Sequence, residues 1–227
     1  MMNKEKITSK QTGEELGMER IVFFSDAVMA IAITLLTVDL KLPDMAGTIT
    51  SSELIHELSV LAPRLLSFLI SFMVIGIYWV SHHRYFNHIV RYDGRLIALN
   101  LIFLLSIAIM PFIAGIMGQY YYLPEGGMIY AGAVAFTGFS MAAIWGYASK
   151  KHRLVEPDLD DDYIRNMQVI LLVGPSIFLL SIPLALINFY VMIAGWWLSP
   201  ILSAVILRLL KRQTGKRRVK QEDTDQE

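Results

Sequence analysis

Apolar and polar positions follow one another along this chain in long blocks, not in the short periods of a soluble domain. Six mainly apolar stretches, at about residues 21–42, 61–81, 96–117, 128–148, 168–188 and 190–209, are separated by short polar segments. Crossing the hydrocarbon of a bilayer as an α-helix takes roughly 20 mainly apolar residues, so each stretch is one candidate span. The pattern predicts an all-α integral membrane protein with six transmembrane helices. The fifth and sixth stretches lie close enough to form a tight hairpin around Asn188. Residues 20–210 then make up a single membrane domain, flanked by a polar segment over 1–19 and a charged tail over 211–227, with no soluble domain, Gly/Ser linker or convincing internal repeat.

The first stretch carries a finer pattern. At 100° per residue, Ile31, Leu35 and Val38 form one narrow aliphatic stripe, which extends back through Ala27 and Phe24 to Arg20. Asp26 sits about 140° around the helix from Ile31. A carboxylate on the stripe would suggest an ion or proton site, whereas one on another face suggests a clasp to neighbouring helices. Ser25 and Asp26 can bond to groups on the second stretch, where Trp79, His82, His83 and Arg84 stand at the same depth; Arg20 is a further candidate partner. The bland alternatives stay open on periodicity alone. An aliphatic stripe is also an ordinary lipid-facing surface, Trp79 an interfacial belt residue, and His82 and His83 polar residues at a helix end.

Composition agrees with membrane insertion: 55% of residues are hydrophobic and the mean hydropathy is +0.49. The net charge of +0 conceals a strong asymmetry, because 18 of the 20 Lys and Arg residues fall on one side of the six spans and only Lys41 and Arg64 on the other. Positive residues stay cytoplasmic, so both termini are expected there, in a multi-pass protein of the cell membrane. The basic stretch 208–220 suits contact with anionic lipid headgroups. The polar start lacks the apolar core of a secretory signal. With no cysteine, thiolate metal sites, nucleophiles and disulfides are excluded. The acidic run 156–162 lacks the full calcium-loop pattern and reads as a solvated loop. No paired-histidine metal motif, nucleophile elbow, phosphate loop or dinucleotide fingerprint is present, which argues against an enzyme. Small residues in the fourth stretch, including Gly132 and Gly138, suit close helix packing. Asn100, Ser106, Pro111, Pro175, Pro183 and Asn188 in the third and fifth read as interhelical glue and local breaks.

Arg20-x-x-x-Phe24-Ser25-Asp26, followed by Ala27 and the run from Ile31 to Leu35, closely resembles the first-helix signature of the transmembrane protein 175 family of potassium channels. Tyr78-Trp79-x-x-His82-His83-Arg84-x-Phe86 resembles its second-helix motif. Six spans in a single repeat resemble the prokaryotic members. The resemblance is most specific in the first helix and weakest in the third to sixth.

The resemblance implies a homotetramer whose first helices line a central pore, without the Thr-Val-Gly-Tyr-Gly carbonyl filter of ordinary potassium channels. Its aliphatic constrictions carry over to Ile31, Leu35 and Val38, and the hydroxyl position that bears on selectivity to Thr34. Arg20, Phe24, Ser25, Asp26, Trp79 and either His82 or His83 carry over as the polar network holding the first helix in place, and a titrating imidazole there would make conduction depend on pH. The function so implied is passive, K⁺-preferring conduction through a hydrophobic constriction. It needs no cofactor or fixed metal. Its partners are other copies of the chain, membrane lipids and permeant monovalent cations, and not nucleic acid. A proton-coupled secondary transporter with Asp26 as the proton carrier is the alternative reading.

Overall fold

In the computed structural model, residues 2–41 and 50–210 are described, with side chains for 16–38, 40–41 and 50–210. Six helices follow in order: α1 (Met2–Leu35), α2 (Ser51–Phe86), α3 (Gly94–Gln119), α4 (Pro124–Ser149), α5 (Asp161–Ser181) and α6 (Phe189–Trp196). Each is long and apolar enough to cross a bilayer once the turns that prolong it are included, α1 over Leu16–Val38, α5 to Leu186 and α6 to Leu210. All six expected spans are present, and the architecture is all-helical among the described residues.

The helices outrun the apolar stretches because their ends are capped by polar residues that hydropathy alone ignores. At the start of α2, Thr50 and Glu53 form a capping box: the Thr50 hydroxyl accepts from the Glu53 N–H at 3.3 Å, and Glu53 accepts from the Thr50 N–H at 2.8 Å. This box places the helix start well before residue 61. α1 likewise runs back through the polar segment to Met2. Asn188 caps α6 by accepting from the Tyr190 N–H at 2.7 Å, which makes the expected hairpin. Proline sets the irregularities, since it lacks an N–H and crowds the carbonyl four residues back. α5 tightens into a 3₁₀ turn over Ile182–Leu186, which contains Pro183. α6 breaks at Trp197 and resumes, because Pro200 cannot bond the carbonyl of Trp196. The tail over 211–227 and the connection over 42–49 lie outside the described residues.

α4 sits at the centre, packed against α3 and α5, while α1 lies across α3 and α2. Gly138 lets α4 and α5 pack closely: a Cβ there would meet Pro175 at 2.8 Å. Trp145, Tyr130, Phe103, Ile107 and Met110 fill the interior. Only 22% of the apolar windows of α1 and of α2 is buried within the subunit, so much of both helices remains available to something else.

At the membrane end where the chain's basic residues gather, two connections are buckled together. The Val90 N–H donates to the Leu154 carbonyl at 2.9 Å and the Glu156 N–H to the His88 carbonyl at 3.2 Å. His88 bridges Glu156 at 3.3 Å and the Tyr163 hydroxyl at 3.0 Å. The acidic run is thus partly structural, because Asp160 also caps α5 and Asp162 pairs with Arg165 at 2.6 Å.

Asp93 joins two elements of this end. It caps α3 through the Leu96 N–H at 2.8 Å and accepts from the Tyr147 hydroxyl of α4 at 2.6 Å. These bonds, the Tyr147 hydroxyl foremost, hold its carboxyl below the usual carboxylate range. A group whose pKa is lower folded than unfolded stabilises fully at neutral pH, and the contribution fades as pH falls through the folded-state value. Asp93→Ala is therefore expected to cost about 1 kcal/mol at neutral pH, with a smaller difference from the parent in acid. Thermal melts at both pH values check this; an equal difference at both would show that the carboxylate charge plays no part.

Candidate functional site

The first helix presents two unlike faces. Ser25, Met29, Ala32 and Leu36 are buried against α2 and α3, and by the helical period they centre about 130° from Ile31. The other face is left open by the subunit. Ile31, Leu35 and Val38 are 58%, 46% and 51% exposed, and Phe24, Ala27 and Thr34 beside them are exposed as well. The aliphatic stripe therefore coincides with the face that α1 does not spend on its own subunit.

Near its end α1 tightens into a 3₁₀ turn over Leu36–Asp39. The Thr34 hydroxyl donates to the Ile31 carbonyl at 2.8 Å and the Thr37 hydroxyl to the Thr34 carbonyl at 2.8 Å. Such back-bonding spends the hydroxyl proton on the helix itself. What Thr34 offers outward is then an oxygen lone pair, the kind of group a cation takes.

Two separate clasps hold the buried face. In the first, the Trp79 indole N–H donates to Asp26 Oδ1 at 2.9 Å, tying α1 to α2. The second is a directed chain across three helices. Ser25 gives its proton to the Ile21 carbonyl at 2.8 Å, so its oxygen accepts from Asn100 Nδ2 at 2.9 Å. Asn100 Oδ1 must then accept, and it faces His82 Nε2 at 3.1 Å, which puts the imidazole proton on Nε2. His82 is fully buried and sandwiched between Phe86, at 3.9 Å between ring centroids, and Phe103, at 5.7 Å. Its Nδ1 makes no hydrogen bond among the described residues.

Of the two adjacent histidines, His82 enters this network. His83 points to the exposed side and stacks on Trp79 at 6.3 Å. Arg20 and Phe24 are brought to neither clasp. Both are exposed, and they line a groove beside Tyr92 and Asn100. The expected Arg20–Asp26 contact does not form because six helical residues place the two about 120° apart around the helix and about 9 Å apart along it. Asn100 is the member that sequence reasoning passed over. Its signal in the sequence is a lone amide in an otherwise apolar run, at the depth of His82, which by itself indicates only interhelical glue.

Among the described residues no group of three or more His, Asp or Glu is arranged to hold a metal. His82 and His88 turn to different partners. What the arrangement can do is mechanical and electrostatic: it anchors α1 by one buried chain of polar bonds and one exposed bond and leaves the aliphatic face, with its one hydroxyl, open.

Comparison with known proteins points the same way. Residues 20–111 match the family described as endosomal/lysosomal potassium channel TMEM175. A potassium channel of Streptomyces collinus is 31% identical over 173 residues, which is 74% of this chain and 82% of that relative. The human endosomal/lysosomal proton channel TMEM175 is 24% identical over 198 residues, 78% of this chain but 39% of the human protein. Among solved structures, the crystal structure of a lysosomal potassium-selective channel TMEM175 homolog from Chamaesiphon minutus superposes with a TM-score of 0.71 at 26% identity, covering 84% of this chain and 98% of that one.

Proposed function

The chain belongs to the TMEM175 family, and from that premise we propose that it assembles as a homotetrameric, K⁺-preferring cation channel of the cell membrane, with both termini cytoplasmic and α1 lining the pore. The observation that carries this reading is the open aliphatic face of α1. Ile31, Leu35 and Val38 are about half exposed in their own subunit, while other faces of the same helix are tied by hydrogen bonds to Trp79 and, in the interior, to Asn100. A helix held on one side and bare on the other is suited to enclose an axis with its symmetry mates. The names of the bacterial relatives as potassium channels support the permeant ion.

In a tetramer, each of these positions is repeated four times as an apolar ring. Narrow apolar rings shed water and block ions; a small dilation or rotation wets them and allows conduction. K⁺ holds its hydration shell less strongly than Na⁺, so it loses less at such a neck, and the preference for K⁺ is modest. Thr34 adds four hydroxyl oxygens beside the Ile31 ring. The path needs no cofactor, only the permeant ion. Asp26 bonds Trp79 away from the open face, which supports an anchoring role over that of a proton carrier.

Recording from purified protein in a planar bilayer, with KCl on one side and NaCl on the other, tests the reading. The expected result is a passive current whose reversal potential lies toward the K⁺ equilibrium potential. Saturable, proton-driven uptake without such a current would replace the channel with a transporter.

A further inference from the structure

Hydroxyls within the spans of this chain mostly turn their protons back onto their own helix. Ser25, Thr137, Ser140, Ser149 and Ser181 each donate to a carbonyl three or four residues earlier. Ser81, Tyr85, Ser199 and Ser203 are different. The hydroxyl of none of them makes a hydrogen bond among the described residues, and all four residues line one cavity of about 410 Å³ between α2, α4, α5 and the continuation of α6 beyond Trp197. A hydroxyl without a partner in an apolar setting is unfavourable, because hydrocarbon offers it none. Four of them along one cavity call for an occupant with oxygen acceptors.

The cavity is graded along the membrane normal. Its midplane end is mainly apolar, at Val74 and Phe178, with Ser199 beside Gly174 at mid-span. Ser81, Tyr85 and Ser203 stand nearer the ends of their helices, on the side where the chain's positive charge gathers. Arg84 lies one turn beyond Ser81; it is exposed and takes part in no ion pair among the described residues. A sequence of apolar wall, hydroxyls and then a guanidinium group matches the acyl chain, ester region and phosphate of a single lipid.

We infer that this groove is a binding site for one anionic glycerophospholipid of the cytoplasmic leaflet. The acyl chain lies against Val74 and Phe178, the ester and phosphate oxygens accept from Ser81, Tyr85 and Ser203, and Arg84 holds the headgroup charge. No residue of α1 lines the groove, so the inference stands apart from the pore.

Native mass spectrometry of the purified, delipidated full chain, titrated with phosphatidylglycerol or with phosphatidylcholine of the same acyl chains, tests it. Phosphatidylglycerol is expected to be held roughly tenfold more tightly, the equivalent of one charge-assisted contact. Arg84→Gln removes that difference and leaves phosphatidylcholine binding as it was. Gly174→Leu fills the groove: a Cβ at Gly174 has only Ser199 Oγ near it, at an ordinary 3.6 Å, so the variant folds and loses both lipids. Ser81→Ala with Ser203→Ala, which removes polar atoms from an apolar setting, keeps the melting temperature and weakens both lipids alike. Equal retention of the two lipids by the parent, or parent-like retention by both the Gly174 variant and the double serine variant, overturns the assignment.

Discussion

Ile31→Ala raises the K⁺ conductance of the reconstituted protein several-fold and lowers its preference for K⁺ over Na⁺; adding Leu35→Ala and Val38→Ala enlarges both effects. In the proposed tetramer each substitution would act four times and replace a branched side chain by a methyl at the proposed constriction. A wider apolar ring holds water more readily, and a hydrated ion then passes without shedding its shell. Size discrimination falls for the same reason. The fold tolerates the change because Ile31, Leu35 and Val38 are about half exposed within the subunit, so truncation opens no internal cavity of the kind that makes core substitutions costly. Single-channel recording in symmetric KCl and then under bi-ionic conditions reads both quantities. Variants at all three positions that conduct and select like the parent would remove α1 from the pore.

Asn100→Ala is expected to have the largest effect on stability. The amide is the middle of the chain from His82 to Ser25. Its removal leaves the His82 Nε2–H without an acceptor and the Ser25 oxygen without a donor, both in fully buried residues. Each orphaned group costs about 1–3 kcal/mol, and α1 loses its tie to α3. Thermal unfolding of the protein in mild detergent measures this, and a melting temperature like the parent's would show the chain of bonds to be incidental. Asp26→Asn is the informative contrast. An asparagine oxygen still accepts from Trp79, so the clasp of α1 to α2 persists, and conduction is expected to survive. The transporter reading requires the opposite, because the amide cannot carry a proton.

The spans are legible in the sequence because a backbone in lipid must satisfy its own hydrogen bonds, and an uninterrupted apolar run therefore has to be helical. Their ends are less legible. Thr50 and Glu53 extend α2 well beyond its hydrophobic window, and Pro200 breaks α6 where hydropathy reads straight through. Neighbour relations are the hardest to read. α3 and α4 are apolar nearly all round, so periodicity does not say which helix each one faces. That is why Asn100 passes as generic glue until α1 and α2 are seen on either side of it. The back-bonding of Thr34 to Ile31 was one of two options its chemistry allowed, and the choice lies in side-chain geometry.

By itself the sequence determined six membrane helices, the side on which their positive charge collects, and the angular separation of Asp26 from the aliphatic stripe, since all three follow from spacing along one chain and the period of one helix. Tertiary structure alone decided that His82 turns inward while His83 turns out, that Asn100 joins His82 to Ser25, and that four hydroxyls meet along one groove. The reason is physical. In a bilayer no difference in hydrophobicity tells one apolar helix face from another; which face meets which neighbour is settled by close packing and by polar groups that find each other only when the helices lie side by side.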